Sequence, residues 1–111
     1  MSGTQSFESV RSPAVASLFY PGNPLELQQN VRKLLDEASQ DVDLPDERIL
    51  RALIVPHAGY VYSGSTAARA YRLLNNYRDE FRRIILLGPA HRVWIEGIAC
   101  PGVETLSLIH I

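Results

Sequence analysis

The chain is poor in the residues that staple, signal or anchor a protein. It has one cysteine, Cys100, in 111 residues, so no disulfide can form within it. That excludes the small disulfide-framework class. No sign of charge dominates: eleven Lys and Arg face twelve Asp and Glu, for a net charge of −1. The densest basic patch is Arg82-Arg83, which reads as a solvated loop, so nothing points to a nucleic-acid backbone as partner. The first residues, Met1 to Ser6, are polar and lack the charged and apolar regions of a secretory signal. No apolar run approaches the roughly 20 residues of a membrane span. A soluble, cytoplasmic protein is the expectation. Three catalytic templates are also missing: the G-x-G-x-x-G turn of dinucleotide sites, the P-loop lysine motif and the G-x-S-x-G nucleophile elbow.

What is present is an ordinary globular balance, 46% hydrophobic and 21% charged, in a length suited to one small domain. Residues 1–9 read as a flexible arm. Between Val10 and Pro24, prolines at 13, 21 and 24 forbid a continuous helix. Phe19 and Tyr20 call for burial, so this stretch is expected to lie extended on the domain and to turn at Pro21-Gly22. A helix then starts with Asn23 as N-cap, Pro24 at its first position and Glu26 in its first turn. Leu27, Val31, Leu34, Leu35 and Ala38 repeat at helical spacing and predict one core-facing stripe. Residues 41–48 form a polar loop.

Ala52-Leu-Ile-Val55 is an unbroken apolar run, the pattern of a strand buried on both faces of a parallel sheet. A second helix follows, capped by Ser63 or Ser65. Ala67, Ala70, Tyr71 and Leu74 mark its core face, small enough to lie close to a sheet, and Asn75-Asn76 its end. Ile84-Ile-Leu-Leu87 predicts a second buried strand, and Gly97-Ile-Ala-Cys100 a short third. The strand–helix–strand unit has the length of a right-handed crossover.

Two histidines occupy matched places in this pattern. His57 follows the first run and Pro56; His91 follows the second run, Gly88 and Pro89. They are 34 residues apart, one crossover step. If the strands are parallel neighbours, both imidazoles emerge at the carboxyl edge of the sheet, where open α/β folds bind ligands. Histidine is the commonest metal ligand and the usual acid or base near neutral pH. Two histidines and a carboxylate suit non-haem iron; three protein ligands and a water suit zinc. Glu96, Cys100 and His110 are the available third donors, and none follows a strand as the two histidines do. Tyr60 and Tyr62 stand beside His57 as pocket-lining or packing residues. Ser63 and Ser65 read as helix caps rather than nucleophiles. Gly59 and Gly64 suit either tight turns or an anion at a helix start.

These residues carry a family resemblance. Pro56-His-Ala-Gly-Tyr-Val-Tyr-Ser-Gly64, continued by Thr66-Ala-Ala and Ala70-Tyr71, resembles the Memo family, whose prokaryotic members are called AmmeMemoRadiSam system protein B. Leu86-Leu-Gly-Pro-Ala-His-Arg-Val93 with Gly97-Ile-Ala99 is similar to the family's second signature. Val10-Arg-Ser-Pro-Ala-Val-Ala and Phe19-Tyr-Pro21 look like its opening motif. Three motifs in order cover roughly residues 10–105. Ser17 stands where the family usually has glycine, and Ala90 where serine is frequent.

The resemblance implies an α/β fold with a mostly parallel sheet and flanking helices, like class III extradiol dioxygenases, here an incomplete domain over residues 10–105. Residues 106–111 do not match and are expected to be a truncated tail. It also implies that His57 and His91 are metal ligands for iron or copper, with Tyr60 lining the pocket. The family's cysteine ligand lies beyond residue 111, and Cys100 does not match it. Two functions are implied: a non-haem metal-dependent oxidoreductase, or a non-catalytic adaptor binding metal or peptide. The family names imply a radical-SAM, AMMECR-type or signalling protein as partner.

Overall fold

The helices begin where the sequence supplies a reason for them. A computed structural model describes residues 9–38 and 49–108. Helix α1 spans Pro24–Glu37, and the Asn23 side chain accepts hydrogen bonds from the amides of Leu25 (3.0 Å) and Glu26 (3.2 Å). Pro24 needs no such partner, and Glu26 lies at the positive end of the helix dipole. At the other end, the Arg72 guanidinium donates to the Ala38 carbonyl, which the helix leaves without an internal partner.

Helix α2 spans Tyr60–Tyr71 and continues as a 3₁₀ helix over Arg72–Tyr77, which includes Asn75 and Asn76. Its N-cap is Gly59, not a serine. The predicted caps Ser63 and Ser65 lie inside the helix. Its buried positions are Ser63, Gly64 and Ala68. This corrects the predicted face: Ala67 and Ala70 are half-buried and Tyr71 is exposed. The difference follows from what α2 packs against, which is α1 rather than a sheet. A Cβ on Gly64 would come within 3.0 Å of Leu34 Cδ1, so the missing side chain lets the helices meet. Among the described residues, Leu27, Ala38, Leu50 and Ala68 are the buried apolar ones, a small core.

Among the described residues the sheet has two strands, β1 (Val10–Arg11) and β2 (Thr105–Leu106), paired in parallel with Val10 opposite Thr105 and Arg11 opposite Leu106. Flanking bonds extend the seam: the Thr105 amide donates to the Ser9 carbonyl (3.1 Å) and that of Ser107 to the Arg11 carbonyl (3.0 Å). Tyr20 closes the same end, its hydroxyl donating to the Leu108 carbonyl at 2.6 Å. The two ends of the described chain are thus stitched together. A mixed helix and parallel-strand architecture is compatible with the α/β expectation.

The predicted central strands differ. Neither Ala52–Val55 nor Ile84–Leu87 forms a ladder, and 97–100 is not a strand. Ile54 is fully exposed, and Ile84, Ile85, Leu86 and Leu87 are 73–85% exposed. The physical reason is coverage. A strand buried on both faces needs a layer on each side, and the two helices here face one another. The radius of gyration, 17.0 Å, exceeds the roughly 13 Å of a packed 100-residue domain. The polar loop 41–48, residues 1–8 of the N-terminal arm and residues 109–111 of the tail lie outside the described residues.

Ser17 explains its own departure from the family pattern. Its φ is +67°, the left-handed region that favours glycine. Its amide donates to the Tyr20 carbonyl at 2.8 Å, so the turn depends on this conformation. A Cβ on Gly22 would collide with the Ser17 hydroxyl, so Gly22 has no room for one. Removing the left-handed penalty, about 1–2 kcal/mol, outweighs the roughly 0.4–1 kcal/mol lost to a more flexible unfolded chain. Ser17→Gly is therefore expected to stabilise the protein by about 0.5–1 kcal/mol, read as a higher denaturation midpoint in urea.

Candidate functional site

The site is built on the loop that leads into α2. Gly59 is buried against the 15–20 turn: a Cβ there would lie 3.3 Å from Phe19 Cδ1 and 3.4 Å from Phe19 Cα. Directly after it, the Tyr60 amide donates to the Phe19 carbonyl at 2.7 Å. Within the loop, the Ser63 hydroxyl donates back to the Ala58 carbonyl at 3.0 Å. The amides of Tyr62 and Ser63 both donate to the Gly59 carbonyl, at 2.9 and 3.1 Å. These contacts anchor residues 58–60 from two sides. His57 precedes them, held on the next-but-one peptide.

His57 and His91 come together. Their ring centroids are 5.1 Å apart and their planes are tilted by 41°. Both residues are exposed. The apolar runs before them are not hydrogen-bonded strands, yet they deliver both rings to one place. A metal–nitrogen bond of about 2.0–2.1 Å puts an imidazole centroid roughly 3.2 Å from its ion. Two rings on one ion at angles of 90–109° then have centroids roughly 4.5–5.2 Å apart, and the observed separation falls in that range.

Two rings do not make a full coordination set. Among the described residues no group of three or more His, Cys, Asp or Glu side chains is placed to hold a metal. Glu96 and Cys100, predicted as alternative third donors, are exposed and not gathered with the histidines. His110 lies outside the described residues. The arrangement offers two exposed imidazoles side by side.

Tyr60 is half-buried and stacks obliquely near Tyr20, centroids 5.8 Å apart. Burial pushes its hydroxyl pKa up, helped by neighbouring Tyr20 and Tyr71. The phenol therefore stays protonated, a hydrogen-bond donor across the neutral range. Tyr62, by contrast, is 85% exposed. Ser63 and Phe19 hold this loop, a role their residue types alone do not announce. A serine four residues after a helix-starting glycine is the signal for back-bonding to the first carbonyls. Phe19 acts through its backbone, which carries no sequence signal.

Comparison with known proteins bears on these same residues. The family model for Memo-like protein matches residues 11–106. A MEMO1 family protein of Aquifex aeolicus is 42% identical over 83 residues, 74% of this chain and 27% of that protein. The memo-1 homolog of Caenorhabditis elegans is 39% identical over 92 residues, 83% of this chain and 24% of its own length. A MEMO1 family protein of Nitrosopumilus maritimus is 35% identical over 83 residues, 74% of this chain and 30% of that one. The chain thus spans about a quarter to a third of the length of the curated relatives it matches. No solved structure matches. No described helix is long and apolar enough to cross a membrane.

Ser63→Ala tests the anchoring of the histidine loop. The substitution removes the donor to the Ala58 carbonyl, a bond worth about 1 kcal/mol. The expected outcome is a loss of that order in stability, with faster hydrogen exchange at the Tyr60 amide than in wild type. Unchanged exchange there would show that the loop is held without Ser63.

Proposed function

The chain belongs to the Memo family, and from that premise we propose that His57 and His91 form the two-imidazole part of a metal site for iron or copper. One observation carries the reading: two ring centroids 5.1 Å apart, a spacing that suits a shared ion. The donor chemistry agrees, since imidazole suits both metals. The remaining ligands come from outside the described residues.

Each residue has a separate part in this reading. Pro56 and the anchored loop at 58–60 limit how far His57 can swing. His91 supplies the second nitrogen. Tyr60, kept protonated by burial, is the pocket's hydrogen-bond donor. When bound, iron or copper with open coordination positions supplies redox chemistry or oxygen binding. We read the whole protein as a metal-dependent oxidoreductase-like member of the family, cytoplasmic, on a fold like that of class III extradiol dioxygenases. The parallel β1–β2 pair and the packed helices are compatible with an α/β fold.

The test is metal content. Wild type, His57→Ala, His91→Ala and the double variant are purified alike, equilibrated with copper(II) or iron(II) and assayed by mass spectrometry. Each single variant is expected to bind at least tenfold more weakly, and the double variant to retain only background metal. A double variant holding as much metal as wild type sinks the reading.

A further inference from the structure

The span between the 3₁₀ helix and β2 has little besides its histidine to hold it. Residues 82–102 are all exposed, and none of them lies in a helix or a ladder. Among the described residues, residues 82–103 make no hydrogen bond and no ion pair. Their one aromatic contact is the His91 ring beside His57, with centroids 5.1 Å apart. The flanks are tied down: Phe81 packs near Tyr77 at 5.8 Å, and the Glu104 amide donates to the Ser9 carbonyl at 3.0 Å. His57, by contrast, stands just before the anchored residues 58–60. The histidine pair therefore joins a fixed post to a weakly held span. A segment with few buried apolar groups and no hydrogen bonds opens at low free energy.

We propose that the His57–His91 pair is a clasp: an ion shared by the two rings fixes the span 82–103 against the loop before α2. The inference rests on the metal reading and adds what the ion does to this chain. With the span closed, an ion has both imidazoles; with it open, only one. The ion therefore binds the closed arrangement more tightly and shifts the population toward it. The link is reciprocal, so whatever loosens the span weakens the hold on the ion. Fixing residue 91 also divides one long span into two shorter ones, each with fewer open conformations. Arg82, Arg83 and Arg92 lie exposed in the span, and Arg92 adjoins His91. Cleavage by a protease at such residues tracks the open population when opening and closing are fast.

Limited trypsin digestion of the chain with and without copper(II) tests this, with fragments followed by mass spectrometry and bound copper measured alongside. Copper is expected to slow cleavage after Arg92 by at least about fivefold, while an added unstructured peptide is cut at an unchanged rate. His91→Ala is expected to be cut at the same rate with and without copper. Copper bound by wild type and lost from His91→Ala, with no slowing after Arg92, overturns the clasp and leaves the metal reading standing. Wild type that holds no more copper than the double variant overturns both. Slowing that appears only where light scattering finds two chains joined overturns the clasp as a contact within one chain. The comparison with and without copper on wild type needs no variant, so it holds even if His91→Ala fails to fold.

Discussion

The hydrogen bond from the Tyr60 amide to the Phe19 carbonyl is the contact on which the rest depends. It joins the turn at 15–20 to the first residue of α2, beside Gly59, where a Cβ would press within 3.3 Å of Phe19. From that joint, α2 runs along α1 with Gly64 against Leu34, and Ser63 reaches back to hold Ala58. His57 lies three residues before the joint, and the Tyr60 ring packs near Tyr20. A looser joint would loosen the loop that carries the imidazole. This is why a turn with a left-handed Ser17 matters to a histidine forty residues away in sequence.

The second constraint is coverage. The chain carries two strongly apolar runs; the described structure leaves Ile84–Leu87 largely in solvent, and half-buries Leu53 and Val55 while exposing Ile54. The ladder that does form joins the segments at 10–11 and 105–106 instead. Apolar side chains exposed in series are unfavourable in water by about 25 cal/mol per Å². The relatives that match here are three to four times longer than the region matched.

What could be read in advance follows the same division. The Asn23 cap and α1 were legible because local chemistry decides them: a side chain bonding its own helix start, a proline, a run of helical spacing. Asn75-Asn76 instead fall inside the 3₁₀ helix that follows α2, which itself ends at Tyr71. The meeting of His57 and His91 was legible from their matched positions after apolar runs. The ladders at Ala52–Val55 and Ile84–Leu87 were not, because apolarity says that a run wants burial and not what covers it. The face of α2 was misread for a related reason: its partner is α1, and Gly64 rather than Ala67 sets the approach. The β1–β2 pair is two residues per strand, too short for any period to show. Asn30 as a buried, unpaired acceptor is a tertiary fact with no local signal.

The central claim is that His57 and His91 act as one unit. The most direct measurement is electron paramagnetic resonance of the copper(II)-loaded chain, in which nitrogen hyperfine coupling counts the imidazoles on the ion. The account predicts two coupled nitrogens in wild type and one in either His57→Ala or His91→Ala. A wild-type spectrum with a single coupled nitrogen, or one that neither substitution changes, would contradict it.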